Sequence, residues 1–371
     1  MYNKEQIETL RREARQLYKQ FYSSKGFTCN KPLPLRIHYD PSLSFVNCTI
    51  CHFKKSYFGG EELISYCVTQ PALRTNTYKI IHTKDELKYT ASLEMLGAFS
   101  VTNKESVCNE FKHHMIYQAE FLNRYMNAES CFLVIVSPSI MAYLTEDFIK
   151  HLKANNTEVL FAKDELHWDY RIDGITGIGT NWMILRYGVQ YEFGNVIILY
   201  KDGVPIGVES GGSIELLLQS KCHLPHKIYA NTYCNEWVIS KINEKENLAI
   251  KYFDTLDVIA HILWSMRNYE NVSLKLLVVL EQYIRALKCI MYIEKMKCFD
   301  LKEDIKHLEP HYEGWRNCPE ELYQTICREL DNQWDMSLIV RNHNKRNCRK
   351  NVETWRGLSE LEKAALGSIT N

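Results

Sequence analysis

The sequence predicts an α+β domain followed by an α-helical one, and three observations carry that expectation. Up to about residue 225, apolar runs of strand length alternate with helical periodicity and with glycine and proline turn signals. From 226 onward the pattern turns helical, with segments expected over 250–266, 273–296, 300–307, 319–330 and 357–366. A chain of 371 residues also exceeds the roughly 100–200 of one domain, so two domains are expected, 1–225 and 226–371.

The first element is a helix over 4–23, where Ile7, Leu10, Leu17 and Phe21 recur at near-helical spacing between charges and Gly26 supplies a stop. Residues 31–58 hold Pro32, Pro34 and Pro41 around short apolar pieces and read as irregular chain and strands. Cys48-x-x-Cys51 followed by His52 is the one metal-like spacing. A structural zinc site needs four ligands, and no second pair stands at a suitable distance, so no metal site is expected. Next come two strand-like runs, Tyr66–Asn76 and Tyr89–Ser100, around a polar loop that carries Lys79 and Lys84 with Arg74 at its edge. Arg offers an oxyanion a planar fork and Lys a mobile point charge. The hairpin is therefore a candidate phosphate or carboxylate cradle, the alternative being a solvated loop.

A helix is expected over 106–127, then a buried strand Cys131–Ser137 closed by Pro138, then another helix and strand to Ala162. In Trp168–Asn181, Gly174, Gly177 and Gly179 would let backbone approach a ligand closely, or simply serve a loop that needs positive φ. Residues 182–187, 195–201 and 204–208 are strand-like, with Asp202-Gly203 as a hairpin turn, and Gly211 and Gly212 open a helix from Ile214 to Gln219.

Composition narrows the function classes. The formal net charge is zero and the pI about 7.2, so no global field draws the chain to nucleic acid or an anionic membrane. Apolar residues at 46% and 23 tyrosines suffice for a packed core. Lys4, Glu5, Glu8, Arg11 and Arg12 open the chain without a following apolar run, which argues against a signal peptide. Thirteen scattered cysteines then read as reduced thiols of a cytoplasmic protein. The longest apolar run, Val272–Ile293, contains Lys275, Glu281, Arg285 and Lys288, as an amphipathic core helix does and a membrane span does not.

Laid in order, several of these pieces resemble the alanyl-tRNA synthetase family of class II aminoacyl-tRNA synthetases. Phe21-Tyr-Ser-Ser-Lys-Gly26 and Asp40-Pro-Ser-Leu-Ser-Phe45 resemble its opening helix and first signature, although His52 stands where the family has a glutamine. Gln70-Pro-Ala-Leu-Arg74 with Glu94-Met-Leu-Gly-Ala-Phe-Ser100 resembles class II motif 2. Arg171-Ile172, Asn181-Trp182, Glu192-Phe-Gly-Asn195 and Glu209-Ser-Gly211 resemble the approach to the amino-acid pocket, its lining strand and the start of motif 3. The resemblance covers about residues 15–220, and more faintly 250–290. It implies a class II antiparallel sheet flanked by helices, then a helical domain like the tRNA-recognition region.

The resemblance also implies roles. Arg74 would clamp the α-phosphate and the amino-acid carboxylate, with Lys79 near the family's loop lysine, and Glu94 and Met95 would edge the adenine. Trp182 and Ile197 would line the amino-acid pocket, Asn195 would hydrogen-bond near the substrate, and Glu209, beside Gly211, would receive its ammonium. ATP and Mg2+ follow as cofactors, and a homodimer is a further implication.

Departures from the family pattern are as informative. Where motif 3 ends in an arginine this chain has Leu216, leaving Lys79, Arg171 or Arg186 to replace it; Ser92-Leu93 replaces an aromatic pair. The family's arginine-rich tRNA helix becomes Leu274–Lys288, which keeps three cations, so tRNA binding is in doubt unless Arg341, Lys345, Arg346, Arg349 and Lys350 supply it. The expected function is ATP-dependent activation of a small amino acid, glycine or alanine, as an aminoacyl-adenylate, with transfer to an acceptor other than tRNA. The alternative is a degenerate synthetase-like sensor of an amino acid or nucleotide, or a partner-binding protein.

Overall fold

The computed structural model describes residues 2–35, 45–126, 130–170, 172, 174–230, 246–267, 274–294, 298–306, 319–332 and 359–370. Residues 40–44 of the first signature, Arg171 and the cationic cluster of 341–350 lie outside them. The chain forms two compact units, one of 1–72 and 93–230, the other of 73–92 and 231–371. The expected α+β architecture, a mostly antiparallel sheet flanked by helices and then a helical part, is what the sequence forms.

The first unit opens with α1 (Lys4–Ser24), started by a capping box in which Asn3 and Gln6 each bond the other's backbone N–H. It ends just before Gly26, whose φ of 93° suits a residue without Cβ. After β1 (Thr28–Cys29), residues 51–59 form a helix, α2 (Cys51–Gly59), where irregular chain or strand was expected. The prolines that argue against helix stop at Pro41. The later run buries its first turn, Cys51 to Lys54, and is closed by Gly60 in the left-handed region.

Next are β2 (Tyr66–Leu73) and β3 (Ser92–Val101), and the chain between them makes the short helix α3 (Tyr78–Ile81) within the second unit. Then α4 (Val107–Met126), β4 (Cys131–Val136), α5 (Glu146–Ala154), β5 (Thr157–Phe161) and β6 (His167–Asp169) lead into three long strands. These are β7 (Ile175–Arg186), β8 (Val189–Lys201) and β9 (Val204–Ser213). Two-residue turns join them, Tyr187-Gly188 and Asp202-Gly203, each with both φ values positive as a primed hairpin turn requires. Ser213 then caps α6 (Ile214–Cys222) through Leu216 N–H.

The strand order is β1-β2-β3-β9-β8-β7-β4-β5, with β6 paired to β7. The glycine segment is thus strand where a loop was one reading: Gly177 and Gly179 lie inside β7, and Gly174, at φ 71°, alone of the three needs a left-handed backbone. One face of the sheet carries α4, whose His114 bridges Ser100 and Ser210. The other face packs Tyr66, Val68, Phe99, Ile197 and Leu199 against Ile50 and Phe53 at the start of α2.

The second unit is built from α7 (Glu246–Arg267), α8 (Leu274–Ile293), α9 (Cys298–Lys306), α10 (Pro319–Asn332) and α11 (Glu360–Thr370), close to the five helices expected from periodicity. Among the described residues no helix is long and apolar enough to cross a membrane.

Candidate functional site

Residues paired across antiparallel strands share a face of the sheet. The register aligns Phe99, Glu209, Ile197 and Gly179 in one row across β3, β9, β8 and β7, and Gly97, Gly211, Asn195 and Asn181 in the next. Three of the residues expected in an amino-acid site, Asn195, Ile197 and Glu209, therefore meet on one face beside Gly211.

Glu209 is 8% exposed, and each of its oxygens accepts from a neutral hydroxyl. Thr49 Oγ1 donates to Oε1 at 3.1 Å and Tyr170 OH to Oε2 at 3.2 Å. Thr49 is held in turn: its carbonyl accepts from Tyr66 OH at 3.1 Å, and that phenol oxygen accepts from Phe53 N–H. Burial, and after it the charge of Glu209, pushes the Tyr66 and Tyr170 phenols well above their ordinary range, so both remain donors. A Cβ at Gly97 would overlap the Thr49 side chain, so Gly97 is what lets Thr49 reach Glu209. Likewise Gly177 makes room for Ile197 and Tyr170.

The adjoining row is more open and polar. Asn195 Nδ2 donates to Asn181 Oδ1 at 2.6 Å and to Thr180 O at 3.3 Å, and Asn195, Asn181 and Gly211 are all half-buried. Met95, paired with Ser213, belongs to the same face and is half-buried too. The arrangement offers a cation a buried carboxylate framed by hydroxyls, with amide groups alongside and aromatic and branched side chains closing it in.

Other expected residues are placed elsewhere. Trp182 alternates with Asn181 along β7 and so points to the opposite face, fully buried, its Nε1–H donating to Thr180 Oγ1 at 3.1 Å. Glu94, on the same opposite face, binds α1: Arg15 meets both its oxygens at 2.5 Å, and Arg11 meets one at 3.1 Å. Arg11 also pairs with Glu215 at 2.9 Å, and Glu215 accepts from Glu94 N–H. Burial alone would lower the Arg11 pKa, but Glu215 and Glu94 outweigh it, so the guanidinium stays charged in the interior. Arg186 is committed to Lys221 O and Tyr187 OH.

Arg74 and Lys79 belong to the second unit. Arg74 is half-buried with its N–H on Ala91 O, and Lys79 is exposed on α3. Their loop is bound by one face of α7, where Asn247, Lys251 and Asp254 follow at helical spacing. Asn247 accepts from Leu87 N–H, Lys251 donates to Thr83 O, and Asp254 accepts from Ala91 N–H at 2.6 Å and Thr77 Oγ1 at 3.1 Å. From α8, Tyr283 bonds Thr77 Oγ1 and Thr75 O. Two of the three cations kept on α8 serve this unit internally: Arg285 pairs with Glu362 at 2.5 Å and Lys288 donates to Leu330 O.

Sequence reasoning missed Thr49, Tyr170, Asp254 and Tyr283. The cysteine motif does not gather ligands around His52, whose Nε2 bonds Gln70 Oε1 at 3.1 Å. Among the described residues no three His, Cys, Asp or Glu side chains are grouped as a metal site.

No protein-family profile matches the sequence. A stretch of 92 residues is 35% identical to the alanine–tRNA ligase of Ligilactobacillus salivarius (strain UCC118), which is 24% of this chain and 10% of that protein. The chain thus matches about a tenth of that relative's length. Solved structures with a similar arrangement include the RNA-binding domain of threonyl-tRNA synthetase from Cryptosporidium parvum Iowa II, at TM-score 0.39 and 11% identity over 57% of this chain and 65% of that one. Another is apo histidyl-tRNA synthetase of S. aureus, at 0.38 and 9% over 57% and 66%. A third is asparaginyl-tRNA synthetase of Entamoeba histolytica with asparaginyl-adenylate, at 0.38 and 11% over 62% and 67%. Overlaps of that extent say nothing about activity.

Proposed function

We propose that this protein binds a small amino acid, glycine or alanine, through Glu209 and activates it with ATP as an aminoacyl-adenylate, passing the acyl group to an acceptor other than tRNA. The observation that carries this reading is Glu209 itself, a nearly buried carboxylate on the same sheet face as Asn195 and Ile197 whose two oxygens are oriented by the Thr49 and Tyr170 hydroxyls. A substrate ammonium is the complement of such a group, because the pair then shares a charge-assisted hydrogen bond in a partly desolvated place. Thr49 and Tyr170 bond the carboxylate and bulky Ile197 is its cross-strand neighbour, which favours a hydrogen or methyl side chain on the substrate. The sequence match to an alanine–tRNA ligase supports a synthetase-related activity.

In this chemistry the substrate carboxylate oxygen attacks the α-phosphorus of ATP and pyrophosphate leaves. The protein's part is positioning and charge stabilisation. Arg74 fits the anionic role, with Lys79 as a second cation. Mg2+ accompanies the triphosphate, since it needs only one or two carboxylates beside phosphate and water oxygens. Asn195 and Asn181 fit the orientation of the bound amino acid, and Met95 the edge of the adenine. A homodimer is part of the same proposal.

A second reading, an amino-acid sensor without turnover, is favoured by the engagement of Glu94 with Arg11 and Arg15 and by Leu216 in the first turn of α6. Amino-acid-dependent exchange of pyrophosphate into ATP separates the two. Exchange greatest with glycine or alanine, abolished in Arg74→Ala and lowered on the order of tenfold or more in Glu209→Gln, is expected for the ligase. Alanine binding by calorimetry with neither ATP binding nor exchange would establish the sensor instead.

A further inference from the structure

Cys48 and Cys51 flank Thr49, the residue that donates to Glu209, and stand where the chain turns into α2. The bond from His52 N–H to Thr49 O closes that turn. Both thiols converge on one acceptor, with Cys48 Sγ 3.1 Å and Cys51 Sγ 3.9 Å from Asn47 Oδ1. Cys48 is half-buried and Cys51 buried. Two thiols that share one acceptor, separated by two residues at the start of a helix, form the arrangement in which thiol–disulfide exchange is favoured. The Cys51 thiol is drawn below its ordinary range chiefly by its bond to Cys48; burial opposes this, while Asn47 and Lys54 assist.

We propose that Cys48 and Cys51 are a reversible dithiol–disulfide pair, oxidised by a disulfide of the glutathione class, and that their state sets the position of Thr49 and with it the affinity of the Glu209 site. The coupling to affinity rests on the proposed function; the exchange chemistry does not. The half-buried Cys48, as thiolate, attacks one sulfur of the oxidant, giving a Cys48–glutathione mixed disulfide and one glutathione thiolate. Cys51, as thiolate, then attacks Cys48 Sγ, forming the internal bond and releasing the second glutathione. Two electrons pass from the protein to the oxidant, and the two thiol protons end on two glutathione molecules.

The consequence for the site follows from packing. Closing the four-residue ring takes both sulfurs off Asn47 and constrains Thr49 and Ile50 inside it. Thr49 has no slack to absorb this. Its side chain fills the space left by the missing Cβ of Gly97, and its carbonyl is fixed by Tyr66 OH. Ile50 is packed in the cluster with Phe53 and Ile197. Displacing Thr49 removes one of the two hydroxyls that orient Glu209, while the reduced turn keeps both.

The test uses the full chain with Cys29→Ser and Cys67→Ser, because those two cysteines are register partners across β1 and β2. The protein is equilibrated with oxidised and reduced glutathione, and disulfides are mapped by peptide mass spectrometry. The expected result is a Cys48–Cys51 bridge that dithiothreitol reverses, and in Cys51→Ser a glutathione trapped on Cys48. Alanine affinity, measured by calorimetry, should fall roughly tenfold or more on oxidation, the scale of losing one hydrogen bond to a charged group, and recover on reduction. Cys48→Ser/Cys51→Ser should show no such change. Glutathione retained on Cys48 without an internal bridge, or a bridge that leaves alanine affinity unaltered, would overturn the proposal. If the reduced protein binds no amino acid, the proposed function and the coupling fail together, and the mapping still decides whether the pair forms.

Discussion

Thr49 and Gly97 make sense only as a pair. The hydroxyl of Thr49 reaches Glu209 because position 97 has no Cβ, so Gly97→Ala forces the Thr49 side chain away. The expected cost is about 1–3 kcal/mol of overpacking, read as a shift in the urea midpoint. Thr49→Gly in the same protein should recover most of it, since the two changes act on one space. Additive losses would show that the contact is not the cause. A second residue-scale consequence concerns buried histidines. Burial lowers His52 from 6.5 to about 4, against its bond to Gln70, and lowers His114 from 6.5 to about 3. Below pH 6.5 the unfolded chain therefore binds protons that these folded side chains refuse. Their contributions are complete above 6.5 and disappear as the pH falls through about 4 for His52 and about 3 for His114. Denaturation between pH 7 and 4 should show stability falling with acid, and His114→Gln should flatten that slope; an unchanged slope would exclude His114 as its source.

Among the elements, α7 decides the state of the loop that carries Arg74. Asp254 accepts from both Ala91 N–H and Thr77 Oγ1 in a buried place, so Asp254→Ala leaves two donors without that acceptor. The expected loss is about 2–3 kcal/mol, with amides of 77–91 exchanging faster while those of β7 and β8 are unaffected. Uniform acceleration across the chain would point to global destabilisation instead. Such ties mark where the sequence stops being legible. Helix periodicity located α1, α4 and the five helices of 246–370 because it is a local signal. Asp254 and Ala91 are 163 residues apart, and Thr49 and Glu209 160 apart, so no local pattern announces them. Trp182 and Glu94 were misread for a related reason. Strand β3 is buried on both faces, which erases alternation, and β7 changes register between Trp182 and Met183, so their faces emerge only from the pairing. The shared face of Asn195, Ile197 and Glu209 is set more locally, since β8 and β9 pair through a tight two-residue turn that fixes their register.

For the molecule as a whole, the order of residues along the chain is not the order of its units. Residues 73–92 leave the sheet strands of the first unit and are built into the second, bonded to α7, α8 and α11. Thr77, Ile81, Leu87 and Ala91 are buried there, which an isolated polar loop would not require. Any cut near residue 225, where the composition turns helical, therefore separates this loop from every helix that covers it. A fragment of 1–230 loses the acceptors Asp254 and Asn247 and the donors Lys251 and Tyr283 at once, while the hydrogen bonds joining β3, β7, β8 and β9 remain internal to it. Limited proteolysis should then cleave the fragment first within 74–91, at sites protected in the full chain, leaving the long strands resistant. If the full chain is cut in the same loop at the same rate, the bonds to α7 and α8 are not what orders it. Arg74 would then sit on a segment that the helices do not hold, and its proposed role would rest on ligand-induced ordering rather than on a preformed clamp.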